Sequence, residues 1–307
     1  MILKTPSTWH MALFMLIMLP TMTGYMAWEA RAVEVTVLSI DGAPEGIIYI
    51  TDPHVRASNI DHVQEVIREV NRLNPSLVLI GGDFVTGKEE DFASQEVWSS
   101  LNAPAYAVLG NHDYRVGIDG PTGIERTLAT STSTVVAAGA YDTSALNDGS
   151  ADTAFADDLT AALEENGVHV LRNEFVRIPI GDEEIVIVGI DDGWAGMANP
   201  PEVPATDAFT VYLIHEPSCR ADWDADLILA GHTHGGQFLF PVVKQLNDFG
   251  VIELAGMFDS DGRTPTYISR GVCSASFAGV DLRFNCRPEI VLINPTEEQL
   301  QTIGGSA

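Results

Sequence analysis

The chain has 307 residues, 46% of them hydrophobic, with 43 acidic residues against 16 basic ones and a formal net charge of −27. The apolar fraction supports a sizeable core, and one domain of about 270 residues lies at the upper end of what a single core sustains. With so few cations no basic stripe can neutralise phosphates, which argues against nucleic acid as a partner. The three cysteines, Cys219, Cys273 and Cys286, show no CxxC spacing, which argues against a cysteine zinc site.

Residues 11–28 (MALFMLIMLPTMTGYMAW) carry no charge and are about long enough to cross a bilayer. Trp9, Tyr25 and Trp28 bracket the stretch as interfacial aromatics do. A cleaved signal is the competing reading, because Lys4 precedes the run and Ala30-Arg31-Ala32 has cleavage-site character. Either reading places the catalytic domain outside the cytoplasm, membrane-anchored in the first case and secreted in the second. The chain therefore divides into 1–32 as anchor or signal, 33–297 as the catalytic domain and 298–307 as a tail. Nothing in the sequence fixes oligomeric state.

The alternating run 33–40 reads as a strand, and 47–51 as the next, leading into Asp52. From Ser58, a helix N-cap by residue type, Ile60, Val63, Ile67, Val70 and Leu73 share one helical face, and Asn74-Pro75 ends the helix. A strand at 77–81 follows, then a helix near 91–101 and another strand before 110–113. Residues 117–155 are rich in Gly, Ala, Ser and Thr, and read as a flexible insertion or a lid beside the site. A helix at 156–166 with Gly167 as its C-cap returns the chain to the core. Strands at 168–171, 176–180, 185–190, 209–214, 226–230, 266–269 and 289–293 suggest a second sheet.

The apolar runs share a property: each stops on residues that can hold a metal ion. The endings deliver Asp52 and His54, Asp83, Asn111 and His112, His215, and His232 with His234. Buried strands of α/β sheets gather ligands at their carboxyl ends. Two divalent ions about 4 Å apart need mixed oxygen and nitrogen ligands and a bridging carboxylate; such a pair activates water and clamps phosphate oxygens during in-line displacement. Asp52 and His54, like His232 and His234, are two apart, so an extended segment points both side chains to one face. Asp191 and Asp192 also end a strand but match no ligand pattern and read as structural. His10, His62 and His169 read as surface or packing residues, and Lys244, Arg270 and Arg283 as solvated or structurally paired. Cys273 and Cys286 read as buried thiols, or as a pair in an exported domain.

Asp52-x-His54, Gly82-Asp83, Gly110-Asn111-His112-Asp113, His215 and Gly231-His232-x-His234 resemble, in order, the signature blocks of calcineurin-like metallophosphoesterases. The string GHTHGGQ at 231–237, with RGV at 270–272 and RFNCRPEI at 283–290, resembles the membrane-associated prokaryotic branch, and the likeness covers about 45–293. The resemblance implies an α/β (α+β) fold of two mixed β-sheets packed face to face with flanking helices. It implies two divalent metal ions (Mn, Fe or Zn): one on Asp52, His54 and His234, the other on Asn111, His215 and His232, with Asp83 bridging. His112 would donate a proton to the leaving oxygen or contact phosphate, with Asp113 orienting it. The chain departs from the family pattern in the residue between Asp52 and His54, which is here Pro53; it fixes φ but removes no ligand. The implied reaction is hydrolysis of a phosphodiester or pyrophosphate bond in a phosphorylated small-molecule, nucleotide-linked or lipid-linked substrate. A phosphoprotein phosphatase and a catalytically silent metal-binding scaffold are the alternatives.

Overall fold

The computed structural model describes residues 8–130, 135–259, 263–274, 276 and 280–305. In chain order the elements are α1 (Thr8–Glu29), β1 (Glu34–Leu38), β2 (Ile47–Ile50), α2 (Ile60–Arg72), β3 (Leu77–Ile80), β4 (Ala105–Ala107), α3 (Gly120–Thr130) and β5 (Val136–Ala137). There follow α4 (Thr153–Glu165), β6 (Val168–Val170), β7 (Glu174–Ile180), β8 (Glu183–Gly189), β9 (Phe209–Leu213), β10 (Ala221–Asp222) and β11 (Leu227–Ala230). The chain ends with α5 (Pro241–Asp248), β12 (Gly256–Phe258), β13 (Thr266–Ile268), β14 (Glu289–Ile293) and α6 (Glu297–Gly304).

Two six-stranded sheets stack face to face, ordered β1-β14-β2-β3-β4-β6 and β12-β13-β11-β9-β8-β7. Their inner faces meet in a shared core that includes Ile47, Tyr49, Leu77 and Leu79 from the first sheet and Ile187, Val211, Leu213 and Leu229 from the second. The alternate residues, Ile48, Ile50, Val78 and Ile80, face outward against Val63, Ile67 and Val70 of α2 and Leu159 and Leu163 of α4. Alternation within a strand thus serves two cores at once, which is why these strands read as unbroken apolar runs. On the far side, Val186, Val188, Tyr212 and Ile228 pack under Trp223, Tyr141 and Ala221, the last of these in the small β5–β10 ribbon.

The expected elements are present, with these differences. Val168–Val170 and Glu289–Ile293 belong to the first sheet, not the second; β14 inserts between β1 (parallel) and β2 (antiparallel, Val291 opposite Tyr49). Order along the chain carries no information about such a return. The α2 helix starts at Ile60 after Asn59, and the Ser58 hydroxyl accepts from Arg56 Nε instead of capping it. Residues 93–100 form a 3₁₀ helix, with Trp98 buried beneath Phe84. The segment set apart as a tail begins with α6: the Gln299 side chain is buried and donates to the Leu73 carbonyl (2.9 Å). Within 117–155, α3 is held by Arg126, which donates to the Leu146 carbonyl and to Asp148; residues 131–134 lie outside the described part.

Among the described residues one helix, Trp9–Glu29, is long and apolar enough to cross a membrane, and its apolar body is exposed. Its last turn is different. The Glu29 carboxylate accepts from the Cys286 backbone N–H (2.6 Å), Met26 accepts from Arg283 N–H (3.1 Å), and Tyr25 packs edge-on against Phe284.

Candidate metal centre

The strands β2, β3 and β4 run parallel in one sheet and β9 and β11 in the other, so their carboxyl ends open at one end of the sandwich. There the structure brings together Asp52, His54, Asp83, Asn111, His112, His215, His232 and His234. All but His112 and His232 are nearly inaccessible to solvent. His54 Nε2 lies 3.2 Å from His234 Nε2 and 3.6 Å from Asp83 Oδ2; His215 Nε2 lies 3.2 Å from the same Asp83 oxygen. His234 Nε2 is 3.6 Å from Asp52 Oδ1, and His232 Nδ1 is 3.0 Å from Asn111 Oδ1.

Backbone geometry aims these groups. Asp52, His54, Asp83, His232 and His234 all sit at positive φ (55°, 39°, 58°, 69° and 50°), a region where ordinary residues pay about 1–3 kcal/mol each. Strain gathered on five ligand-type residues is the pattern of a functional site. Two glycines leave the necessary room. A Cβ on Gly110 would strike the Asp83 carboxylate and stand 2.8 Å from the His215 ring, and one on Gly231 would strike the Thr51 hydroxyl.

Three of the imidazoles are locked from behind. Nδ1 of His54 lies 3.0 Å from the Val85 carbonyl, Nδ1 of His215 2.7 Å from Gly81, and Nδ1 of His234 3.0 Å from Cys273. A carbonyl only accepts, so Nδ1 carries the proton in each ring. Burial, the largest influence, lowers the pKa of His54 to about 4 and of His232 to about 3, and depresses His234 well below the usual value. The neutral rings of His54 and His234 therefore point two bare Nε2 lone pairs at each other across 3.2 Å. Two acceptors at that distance repel unless a cation lies between them. The donor set, nitrogen and carboxylate oxygen with a carboxamide, fits a divalent ion of the Mn, Fe or Zn kind.

Charge is concentrated on one pair. Burial, the largest single influence, disfavours ionisation of Asp83, but the imidazoles of His215, His112 and His54 together outweigh it and hold the carboxyl well below its ordinary range. His215 in turn is raised well above its ordinary value: burial is the largest single influence and opposes the shift, but the charge and hydrogen bond of Asp83, with Glu216 and Asp52 beside it, together prevail. Burial lifts Asp52 to about 6. A cation held here by His215 would take the place of its Nε2 proton, so uptake would be coupled to proton release.

Asp113 is placed otherwise than expected. Its carboxylate does not orient the His112 ring: it accepts from the backbone N–H groups of Asp83 (2.9 Å), Gly110 (2.9 Å) and Val85 (3.2 Å), stapling two ligand loops together. The His112 ring is turned instead by the Thr86 carbonyl, 3.0 Å from Nδ1, and its backbone N–H donates to Asp83 Oδ1 (2.9 Å). Asp113→Ala would strand three buried N–H groups, each costing about 1–3 kcal/mol. We expect a loss of roughly 3 kcal/mol or more, read as a lower urea midpoint at unchanged slope; a loss under about 1 kcal/mol would contradict the stapling role.

Other residues near the centre escaped the sequence reading. Trp194 packs its ring 4.3 Å from that of His232 and is nearly fully buried. Asn59 grips the first ligand loop, its amide donating to the Pro53 (3.3 Å) and His54 (3.1 Å) carbonyls. Asp191 is structural as expected, accepting from the Tyr114 hydroxyl (2.7 Å) and Arg172 (3.0 Å). Arg270 pairs with Glu34 and Glu289, and Lys244 with Asp248. Arg283 is wholly buried and donates to the carbonyls of Arg270, Cys273 and His234, so it braces the floor of the site. His62 packs inside with Nε2 on the Val272 carbonyl, and His169 stacks on Tyr106. Cys273 and Cys286 are free buried thiols, and burial pushes Cys273 up to about 12.

Comparison with known proteins agrees with this geometry. The calcineurin-like phosphoesterase family model matches residues 46–236. Phosphodiesterase YaeI of Escherichia coli is 29% identical over 82% of this chain and 83% of its own length. The uncharacterized metallophosphoesterase YkuE of Bacillus subtilis is 27% identical over 88% of each. UDP-2,3-diacylglucosamine pyrophosphatase LpxG of Chlamydia muridarum is 25% identical over 80% of this chain and 82% of its own. Among solved structures, an archaeal phosphodiesterase covers 73% of this chain at 14% identity with a TM-score of 0.32. The chain belongs to the calcineurin-like phosphoesterase family, whose members are metal-using hydrolases of phosphoester bonds.

Proposed function

We propose that this protein is a dinuclear metal-dependent phosphoesterase that cleaves a phosphodiester or pyrophosphate bond in a lipid- or nucleotide-linked substrate. The observation that carries the reading is Asp83: one carboxylate oxygen stands within 3.2–3.6 Å of a histidine from each of two clusters. Asp52, His54 and His234 would hold one ion and Asn111, His215 and His232 the other. When bound, the ions would supply an activated water and neutralise charge on the phosphate oxygens. The chain's own residues do the rest. The carbonyls of Val85, Gly81 and Cys273 keep the three histidines in one tautomer and rotamer. With His112 Nδ1–H donated to the Thr86 carbonyl, the doubly protonated ring carries its second proton on Nε2 and hands that one to the leaving oxygen, returning to the neutral Nδ1–H form.

Beside His232, a cavity of about 740 Å³ is lined by Trp194, Arg220, Thr233, Leu254 and, from α3, Thr127 and Thr130. We assign it to the organic part of the substrate, so the 117–155 segment forms a wall of the site. The names of YaeI and LpxG, a phosphodiesterase and a pyrophosphatase, support diester or pyrophosphate chemistry over monoester chemistry. The test is a parallel screen of diesters, monoesters, nucleotide sugars and phospholipids with the Mn²⁺-loaded protein. Turnover of diesters or pyrophosphates well above monoesters is expected; a preference for phosphopeptides would replace this reading with a protein phosphatase.

We further propose that α1 remains attached as a single-pass anchor. Cleavage after Ala32 would remove Glu29 and Ala30, both buried, and would leave the Cys286 N–H without its carboxylate partner. The full chain should stay in the membrane fraction through salt and carbonate washes. A chain beginning at Val33 should keep every metal ligand yet be less stable than one beginning at Tyr25, by about 1–3 kcal/mol for the lost charged hydrogen bond. Equal stability of the two, with mature native protein starting at Val33, would replace the anchor with an exported soluble enzyme.

A further inference from the structure

The helix α5 presents an apolar face to solvent. Val242, Leu246 and Phe249 recur at i, i+4 and i+7, so they share one side, and they are 68%, 38% and 81% exposed; Phe240 before them and Val251 after them are also exposed. Lys244 and Asp248 pair on the polar side. An ordinary water-facing surface does not gather two phenylalanines and three aliphatics on so short a segment.

The position of this face identifies what covers it. Phe240 packs against Phe284 (ring centroids 5.4 Å apart), and Phe284 packs against Tyr25 (6.4 Å) in the last turn of α1. Arg287 lies over the Trp28 ring at 5.2 Å. Tyr25 and Trp28 are the aromatics that would mark the bilayer interface if α1 spans, since its 22 residues extend about 33 Å. The start of α5 is therefore two ring contacts away from the interfacial belt, held there by the Glu29 and Met26 hydrogen bonds to the 283–286 segment. With a net charge of −27 the protein is repelled by an anionic surface, so apolar burial rather than charge must drive contact.

We propose that the Val242/Leu246/Phe249 face of α5, with Phe240 and Val251, lies in the lipid interface as a second membrane contact, so that the domain rests on the bilayer instead of hanging from α1. The inference depends on α1 being a retained anchor. Its consequence concerns access: residues 250–254, immediately after this face, line the cavity beside His232. Docking by α5 sets the mouth of that cavity at the lipid surface, where an amphiphilic phosphoester enters sideways from the bilayer and needs no full extraction into water.

The test uses the full-length protein reconstituted in phosphatidylcholine vesicles. Single nitroxide labels are placed through Val242→Cys, Leu246→Cys and Phe249→Cys, with Lys244→Cys on the opposite face and Ile17→Cys within α1. The three native cysteines are buried and leave these exposed positions selectively labelled. Collisional broadening by oxygen, which partitions into lipid, is compared with that by a water-soluble nickel chelate. Oxygen should dominate at 242, 246 and 249 as it does at 17, and the chelate at 244. If 17 reads as lipid while 242, 246 and 249 read as water, the docking face is refuted and the anchor stands. If 17 also reads as water, the anchor fails and takes the docking proposal with it. Shielding of 249 from both reagents, with dipolar broadening between labels, would identify a second copy of the chain as the occupant and would equally overturn the lipid contact.

Discussion

Asp83→Asn should empty both metal positions and reduce kcat/KM by at least about 10³-fold, since the ions contribute several kcal/mol and each ~1.4 kcal/mol is a factor of ten. The substitution is nearly isosteric, so the loops joined by Asp113 remain in place and the effect is electrostatic. Asp83 is the anionic group that faces both histidine clusters, 3.6 Å from His54 Nε2 and 3.2 Å from His215 Nε2. A carboxamide retains one oxygen but no charge, and its N–H₂ group turned toward either Nε2 would compete with a cation for the lone pair. The His215 pKa, held up by the Asp83 charge, should fall at the same time, which nuclear magnetic resonance of the metal-free protein would register. Mass spectrometry on reconstituted protein should find two ions per wild-type chain and fewer than one per variant chain. By contrast, Asn111→Ala should weaken only the site formed with His215 and His232. Loss of a single ion in Asp83→Asn, with the second retained at full occupancy, would show that the carboxylate serves one position and does not bridge.

What the sequence revealed about this site, and what it concealed, follows one physical line. The ligand side chains were legible because they must sit just beyond strand carboxyl ends, and buried parallel strands announce themselves as short apolar runs. Asp52, Asp83 and His215 each follow such a run, and all the expected ligand residues do converge. The groups that aim them were not legible. The carbonyls of Gly81, Val85, Thr86 and Cys273 are backbone atoms with no residue-type signature, and the first of them reaches His215 across the two sheets, 134 residues away. Asp113 shows the same limit from the other side: the family resemblance implied a partner for His112, whereas three backbone N–H groups claim its oxygens. The left-handed conformation of Asp52, His54, Asp83, His232 and His234 also defies propensity, because the site imposes it. In the fold, β6 and β14 joined the first sheet since pairing depends on spatial return rather than chain order. The α3 helix hid in a Gly- and Thr-rich run whose weak pattern is rescued by one buried arginine, Arg126, clamped to Leu146 and Asp148. Trp194 had no sequence signal beyond following Asp191-Asp192-Gly193.

His112→Ala should lower kcat by about 10²–10⁴ while both ions stay bound, the range expected for loss of a positioned general acid. The structure favours this split between catalysis and metal binding. The His112 backbone N–H, which alanine keeps, is the group that donates to Asp83 Oδ1, so the Asp83 carboxylate retains its hydrogen bond in the variant. What disappears is the ring alone, partly open to the site and oriented by a single bond from Nδ1 to the Thr86 carbonyl. That bond fixes which nitrogen can serve the substrate: Nδ1 is occupied, leaving Nε2 for the leaving oxygen. The decisive measurement is a leaving-group series. A nitrophenolate departs without help and should lose little, whereas an alkoxide cannot leave unprotonated and should lose the full factor. The slope of log kcat/KM against leaving-group pKa should therefore steepen in the variant. If His112 served only to bind a phosphate oxygen, the loss would be uniform across the series and the slope unchanged. Asp113→Asn supplies the complementary control. With the ring turned by Thr86 and not by Asp113, that variant should reduce stability while leaving the leaving-group slope at its wild-type value. A steepened slope in Asp113→Asn as well would return Asp113 to the role of orienting the acid.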